Sequence, residues 1–200
     1  MAEYWEDKWY AKSDTPWDIE SYDKNLDSLF DKLKLKKKSK VLELGCGYGY
    51  DSKFFAEKGM IVDSIDISKT AINKAKKINK HKNISFKCLD FFKLAGVKQY
   101  DLIYDRGFIH NHQNILQSLF PKLYNFLSNK GKLLILSGNQ NQIDRSGVIP
   151  TPMTISDIEK ASMNFFNISL VKEIIFEQRI DLYNSLGWAF ILYKNEQSED

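Results

Sequence analysis

The chain is poor in the residues that cross-link or kink a fold. Of its 200 residues only two are cysteine and four are proline. Cys46 and Cys88 lack the paired spacing of zinc ligands, so no metal site is expected and a reduced, cytoplasmic protein is the default. No apolar run approaches the roughly 20 residues that span a bilayer, and no basic stretch with an apolar core marks a secretion signal. There is no surplus of one charge either. Twenty-nine Lys and Arg meet 26 Asp and Glu, and a net +3 is too small to argue for nucleic acid. The basic run KLKLKKKSK (32–40) has aliphatic residues between its lysines and no aromatics, which suits a solvated helix end and loop. There is no repeat and no low-complexity linker. A single domain over residues 1–200, with a monomer as the default, is the expectation from length and composition.

Along the chain, strand and helix signals alternate. Leu26, Leu29, Phe30 and Leu33 fall on one helical face. VLELG (41–45) reads as a buried strand, followed by a short helix over 52–58. IVDSIDI (61–67) is a second strand, and Ser68 is placed to cap a helix carrying Ala71, Ile72, Ala75 and Ile78. ISFKCLD (84–90), YDLIYD (100–105) and KLLILSG (132–138) are further strands. A helical pattern covers 113–128, with Pro121 expected to kink or restart it. Ser156 and Glu159 have capping-box spacing. NISLVKEIIFE (167–177) and WAFILYK (188–194) pair most simply as a hairpin with an antiparallel strand at the sheet edge. The order predicts an α/β, Rossmann-like fold: a mostly parallel seven-stranded sheet with helices on both faces.

In such sheets, ligands bind at the carboxyl ends of the strands. The first strand ends ELGCGYGY (43–50). A dinucleotide fingerprint would need Gly or Ala where Tyr50 stands, which argues against a pyrophosphate ligand. The pattern of an acid followed by Gly45, Gly47 and Gly49 instead resembles S-adenosylmethionine (SAM) methyltransferases. Asp66, ending the second strand, can accept both hydroxyls of a ribose. Asp90 ends the third strand, and in methyltransferases a carboxylate there takes the adenine amino group while the next N–H, here that of Phe91, reaches a ring nitrogen. A lone strand-end Asp is ordinarily a turn former. Two in register with a glycine loop point to a nucleoside.

Three of the four tryptophans lie in the first seventeen residues. WEDKW (5–9), TPWDI (15–19), LELGCGYG (42–49), DIS (66–68), LDFF (89–92) and YDRGFIH (104–110) together resemble the thiopurine, thiol and halide methyltransferase family, to which the tellurite-resistance methyltransferases are similar. The resemblance implies that residues 1–20 form an aromatic lid over SAM, with Trp17 the first contact to expect and Trp9 the next, their indole N–H groups near the cofactor carboxylate and their faces against the sulfonium. Trp5 either joins them or fixes the lid to the body. Pro16 restricts Thr15 and suits an extended lid. Cys46 and Ile67 complete the expected cofactor set. After the fourth strand, Asp105 either approaches the SAM ammonium or caps the turn. Arg106 lies near cofactor and acceptor, or pairs with an acid. His110 is either a general base or a cap. The acceptor implied is a small molecule, a thiol or other soft nucleophile, with nucleic acid and membrane excluded as partners. Residues 138–152 make an acceptor-side loop in which Arg145 either meets an anionic acceptor or stays solvated.

Overall fold

The apolar runs bounded by glycine do become strands. The computed structural model describes residues 2–12, 15–96, 99–142, 151–176 and 185–195, and these group into two units. The first lies within residues 1–96. It opens with a short helix, α1 (Ala2–Trp5), and a single π-helical turn over Glu6–Tyr10. Then come α2 (Asn25–Leu33), β1 (Lys40–Leu44), α3 (Tyr50–Glu57), β2 (Ile61–Asp66), α4 (Lys69–Ile78) and β3 (Ile84–Cys88). β1 pairs parallel with β2, and β2 with β3; Val41 stands opposite Val62, and Val62 opposite Ile84. α2 buries Leu26, Leu29 and Leu33, the face its spacing predicted. Ser68 caps α4 as expected, accepting the Ala71 N–H at 3.0 Å, and α4 sets Ile72 and Ala75 against Cys46 and Phe86.

The second unit lies within residues 97–176 and 185–200. It contains β4 (Tyr100–Arg106), a 3₁₀ segment (Ile109–Ile115), α5 (Leu116–Phe126), β5 (Leu127–Asn139), β6 (Pro152–Met153), α6 (Ile155–Ser162), β7 (Phe166–Phe176) and β8 (Ser185–Lys194). β4 and β5 are parallel. β8 pairs antiparallel with both β5 and β7. The hairpin partners are therefore those expected, but the antiparallel strand lies inside, between β5 and β7, and β7 runs in the direction of β5. Burial explains the order: β8 is covered along nearly its whole length, whereas β7 alternates and leaves Val171 and Ile175 exposed. Three local expectations also shift. The helical pattern over 113–128 breaks at Ile115, α5 begins at Leu116, and Pro121 sits within α5. β6 adds a two-residue strand beside Gly138 and Asn139. The capping box of α6 is built by Thr154 and Asp157, not by Ser156 and Glu159. Among the described residues no helix is long and apolar enough to cross a membrane.

In that box Thr154 accepts the Asp157 N–H at 3.0 Å and Asp157 accepts the Thr154 N–H at 2.9 Å. Thr154→Ala is expected to lower stability by about 0.5–2 kcal/mol, whereas Ser156→Ala should fall within about 0.5 kcal/mol of wild type. Urea denaturation of the two variants checks the assignment; equal losses would contradict it.

Candidate active site

β1 and β2 end side by side, and one carboxylate joins the glycine loop after β1 to the turn after β2. Asp66 accepts the Gly47 N–H at 2.9 Å on one oxygen and the Ser68 N–H at 2.8 Å on the other. It thus ties the loop to the start of α4. Burial pushes its pKa up to about 6 despite these donors. The loop needs its glycines: Gly47 and Gly49 have φ of 52° and 78°. A Cβ on Gly47 would stand 3.1 Å from the Tyr10 hydroxyl, and one on Gly49 would collide with the Phe86 ring. Asn79, at the end of α4, donates to the Tyr48 carbonyl at 2.8 Å and holds the loop from the other side. Beneath it, Glu43 receives the Ser52 hydroxyl, which in turn accepts that of Ser64 at 2.8 Å. Burial, with Asp51 adding repulsion, holds the Glu43 carboxyl well above the usual range. Cys46 is buried, and Gly49 donates to its carbonyl at 2.8 Å.

The N-terminal segment folds onto this loop. It is not extended: it runs through α1 and the π turn, and Thr15–Asp18 forms a tight turn closed by an Asp18 N–H to Thr15 carbonyl bond of 3.0 Å. Trp17 is the hub of its rings, 5.8 Å from Trp5, 5.1 Å from Trp9 and 6.2 Å from Tyr10, all edge to face. Tyr10 is buried and reaches Tyr48 of the glycine loop at 5.5 Å. The Trp9 Nε1–H is buried and meets no acceptor in hydrogen-bond geometry, although the Tyr4 phenol lies close enough to feel it. Sequence reasoning missed Glu6. Its carboxylate takes the Ser68 hydroxyl at 2.6 Å, the Thr70 N–H at 3.3 Å and the Thr70 hydroxyl, so it clasps the first turn of α4. Asp90 accepts the Phe92 N–H at 2.9 Å and caps a short 3₁₀ turn over Phe91–Lys93; Phe91 is buried and Ile67 half-buried.

In the second unit, β4 ends in a turn built by Asp105. Its two oxygens accept the Phe108 N–H at 2.6 Å and the Ile109 N–H at 3.0 Å, and the residue is fully buried. Asp105 thus caps the turn, one of the two roles expected of it. Burial lifts its pKa to about 7. Arg106 is half-buried with its guanidinium 4.6 Å from the centre of the Phe176 ring. His110 leans on the same ring at 6.0 Å, and its Nδ1 accepts the Gly138 N–H at 3.1 Å. Burial drives the pKa of His110 down to about 3, with Arg106 and His112 adding repulsion. His112 is built oppositely, its Nδ1 2.7 Å from the Phe108 carbonyl and so carrying the proton. Tyr104 is core. Arg145 lies outside the described residues.

Residues 1–179 match the family of thiopurine S-methyltransferases (TPMT). The chain belongs to that family. It is 30% identical over 174 residues to a probable thiol methyltransferase of Arabidopsis thaliana, a match covering 84% of this chain and 75% of that protein. Among solved structures, a SAM-dependent methyltransferase from Anabaena variabilis superposes with a TM-score of 0.77 at 23% identity, over 97% of this chain and 95% of that one. The N-methyltransferase NodS from Bradyrhizobium japonicum, bound to S-adenosylhomocysteine, gives 0.68 at 17% identity, over 92% and 90%. The fold is the Rossmann-like α/β fold of SAM methyltransferases, and the protein is a SAM-dependent methyltransferase.

The first unit of this TPMT-family protein fits that cofactor. Asp66 keeps lone pairs on both oxygens after its backbone bonds, enough for a ribose diol. Trp9 holds a buried donor without a matched acceptor. Besides Glu6, no sequence signal marked Asn79, Gly138 or Phe176, each of which acts on a residue far away in the chain.

Asp66 and Asp105 also make stability depend on pH. Both carboxyls start from 3.8 and are raised on folding, to about 6 and about 7. The folded state therefore binds their protons more tightly, and stability falls as pH climbs from about 4 to 7. Asp105→Asn abolishes one titration. Its stability deficit relative to wild type, from urea melts, should shrink between pH 5 and pH 8; a deficit that stays constant would mean Asp105 is ionised throughout.

Proposed function

We propose that this TPMT-family enzyme methylates a small-molecule acceptor, a thiol or another soft nucleophile, with cofactor held by Trp9, Trp17, Gly45, Cys46, Gly47, Gly49, Asp66, Ile67, Asp90 and Phe91. When bound, SAM supplies an electrophilic methyl group on a sulfonium. Asp66 takes the ribose hydroxyls, and the Trp9 N–H gains the carboxylate acceptor it lacks. The rings around Trp17 exclude water from the amino-acid end. A reducing compartment such as the cytoplasm suits the two free thiols.

The observation that carries the acceptor reading is the turn after β4. Residues 106–115 contain no acid, and the fully buried carboxylate just before them accepts the Phe108 and Ile109 N–H groups. Arg106 lies there with its guanidinium on the apolar Phe176 ring. A cation on an apolar wall suits an anionic acceptor. A thiolate needs little else, because the methyl donor is already activated and alignment supplies most of the remaining acceleration.

Cofactor affinity should reveal Asp66 directly. Ribose hydroxyls donate best to the ionised carboxylate, whose pKa is about 6 in the free protein. S-adenosylhomocysteine should therefore bind about tenfold more weakly at pH 5 than at pH 7 by calorimetry. Asp66→Ala should lose about 1–3 kcal/mol of binding and the pH dependence with it. Trp9→Phe should weaken binding by about 0.5–1.5 kcal/mol with little change in stability. A pH-independent affinity in wild type would remove Asp66 from the site.

The acceptor class is tested by formation of S-adenosylhomocysteine with a panel of thiols, amines and alcohols. Thiols should turn over fastest, and Arg106→Met should cost anionic thiols more than neutral ones. Efficient amine methylation with every thiol inert would overturn the acceptor reading while leaving fold and cofactor intact.

A further inference from the structure

His110 is a buried histidine that looks, by position, like a general base. Its surroundings give it the opposite polarity. The Gly138 backbone N–H can only donate, and it points at His110 Nδ1 from 3.1 Å. Nδ1 must therefore present a lone pair. A neutral imidazole then carries its single proton on Nε2. Protonating Nδ1 would set two donors against each other at that distance, so the ring cannot become an imidazolium without breaking the bond. The ring has little room to turn. It is 6% exposed, rests against Phe176, and lies with Cε1 and Nε2 3.3 and 3.4 Å from where a Gly107 Cβ would stand. Among the described residues Nε2 has no hydrogen-bond partner. The charged and titratable groups around it agree: Arg106 and His112 both disfavour a positive ring, and the Asp105 carboxyl is turned into its own cap.

We propose that His110 is a fixed Nε2–H donor that, with Arg106, selects acceptors arriving already ionised. This rests on the reading of the acceptor as a thiol or other soft nucleophile. The two residues share the Phe176 ring, so a cation and a neutral donor meet on one apolar wall. A thiol loses its proton to water before binding. Its sulfur then forms the new S–C bond, and the electron pair of the broken bond leaves with S-adenosylhomocysteine. No proton moves in the step. An alcohol or a protonated amine, which would need a base at this position, finds a donor instead and is rejected.

Two measurements test this together. With ¹⁵N-labelled histidine, the side-chain signals of His110, assigned by their loss in His110→Gln, should report the neutral Nε2–H form from pH 5.5 to 8.5 without titrating. With a set of small thiols of different acidity, the pH–rate inflection should follow the pKa of each thiol. His110→Gln, which can both accept from Gly138 and donate onward, should keep activity within about fivefold. His110→Phe should lose at least tenfold on every thiol without moving the inflection. A His110 that titrates between pH 6 and 7, or one inflection shared by all thiols and lost in His110→Gln, overturns the inference and restores a general base. Locked His110 signals with every thiol inert overturn the acceptor reading and this role with it. Active thiols with a titrating His110 overturn this inference alone.

Discussion

A single buried carboxylate holds the cofactor half of this enzyme in shape. Asp66 takes N–H groups from the glycine loop and from Ser68, just after β2. Without it the loop would present Gly47 with nothing to orient it, and the start of α4 would lose an anchor. The arrangement is costly. Burial outweighs the favourable donors and leaves the acid with a raised pKa. Those structural bonds alone leave the carboxylate incompletely satisfied. The diol grip proposed above draws on this, because a desolvated, incompletely satisfied acceptor gains most when a matched donor arrives.

The same short stretch explains why a chain terminus is so aromatic. Termini fray unless something ties them, and here the tie converges on residues 66–70. Ser68 gives its N–H to Asp66 and its hydroxyl to Glu6, while its oxygen accepts from Ala71. The aromatic cluster then spreads from that point, through Tyr10 onto Tyr48 and Ala71. Glycine loop, N-terminal segment and helix cap thus converge on one short stretch.

What the sequence disclosed is what short-range chemistry controls. The Ser68 cap, the glycine loop, the face of α2 and Asp66 at the end of β2 each depend on residues a few positions apart, and each stands where it was expected; Asp90 lies two residues beyond β3 and caps a 3₁₀ turn. Failures came where two local answers competed. Thr154 and Asp157 lie beside Ser156 and Glu159 with equally good capping chemistry, and only packing chooses between them. The hairpin's partners were legible from loop length, but its placement depended on how fully β8 is covered relative to β7. Glu6, Asn79, Gly138 and Phe176 were invisible because their partners lie tens of residues away.

In the reaction proposed above, charge is lost along the way, and the proposed acceptor corner suits that loss. A thiolate and a sulfonium neutralise each other as the methyl group moves, so both charges are greatest before reaction and smallest after it. Water stabilises the separated charges and holds the reaction back; a dry wall such as Phe176 does not. A second fixed cation would bind the thiolate more tightly in the ground state than in the transition state, which lowers KM without raising kcat. One guanidinium is enough to attract the anion. A neutral N–H beside it can orient a lone pair while adding no charge that must be abandoned as the sulfur becomes neutral. For a soft anionic nucleophile, a histidine held neutral thus suits the reaction better than either a histidinium or a proton-abstracting base.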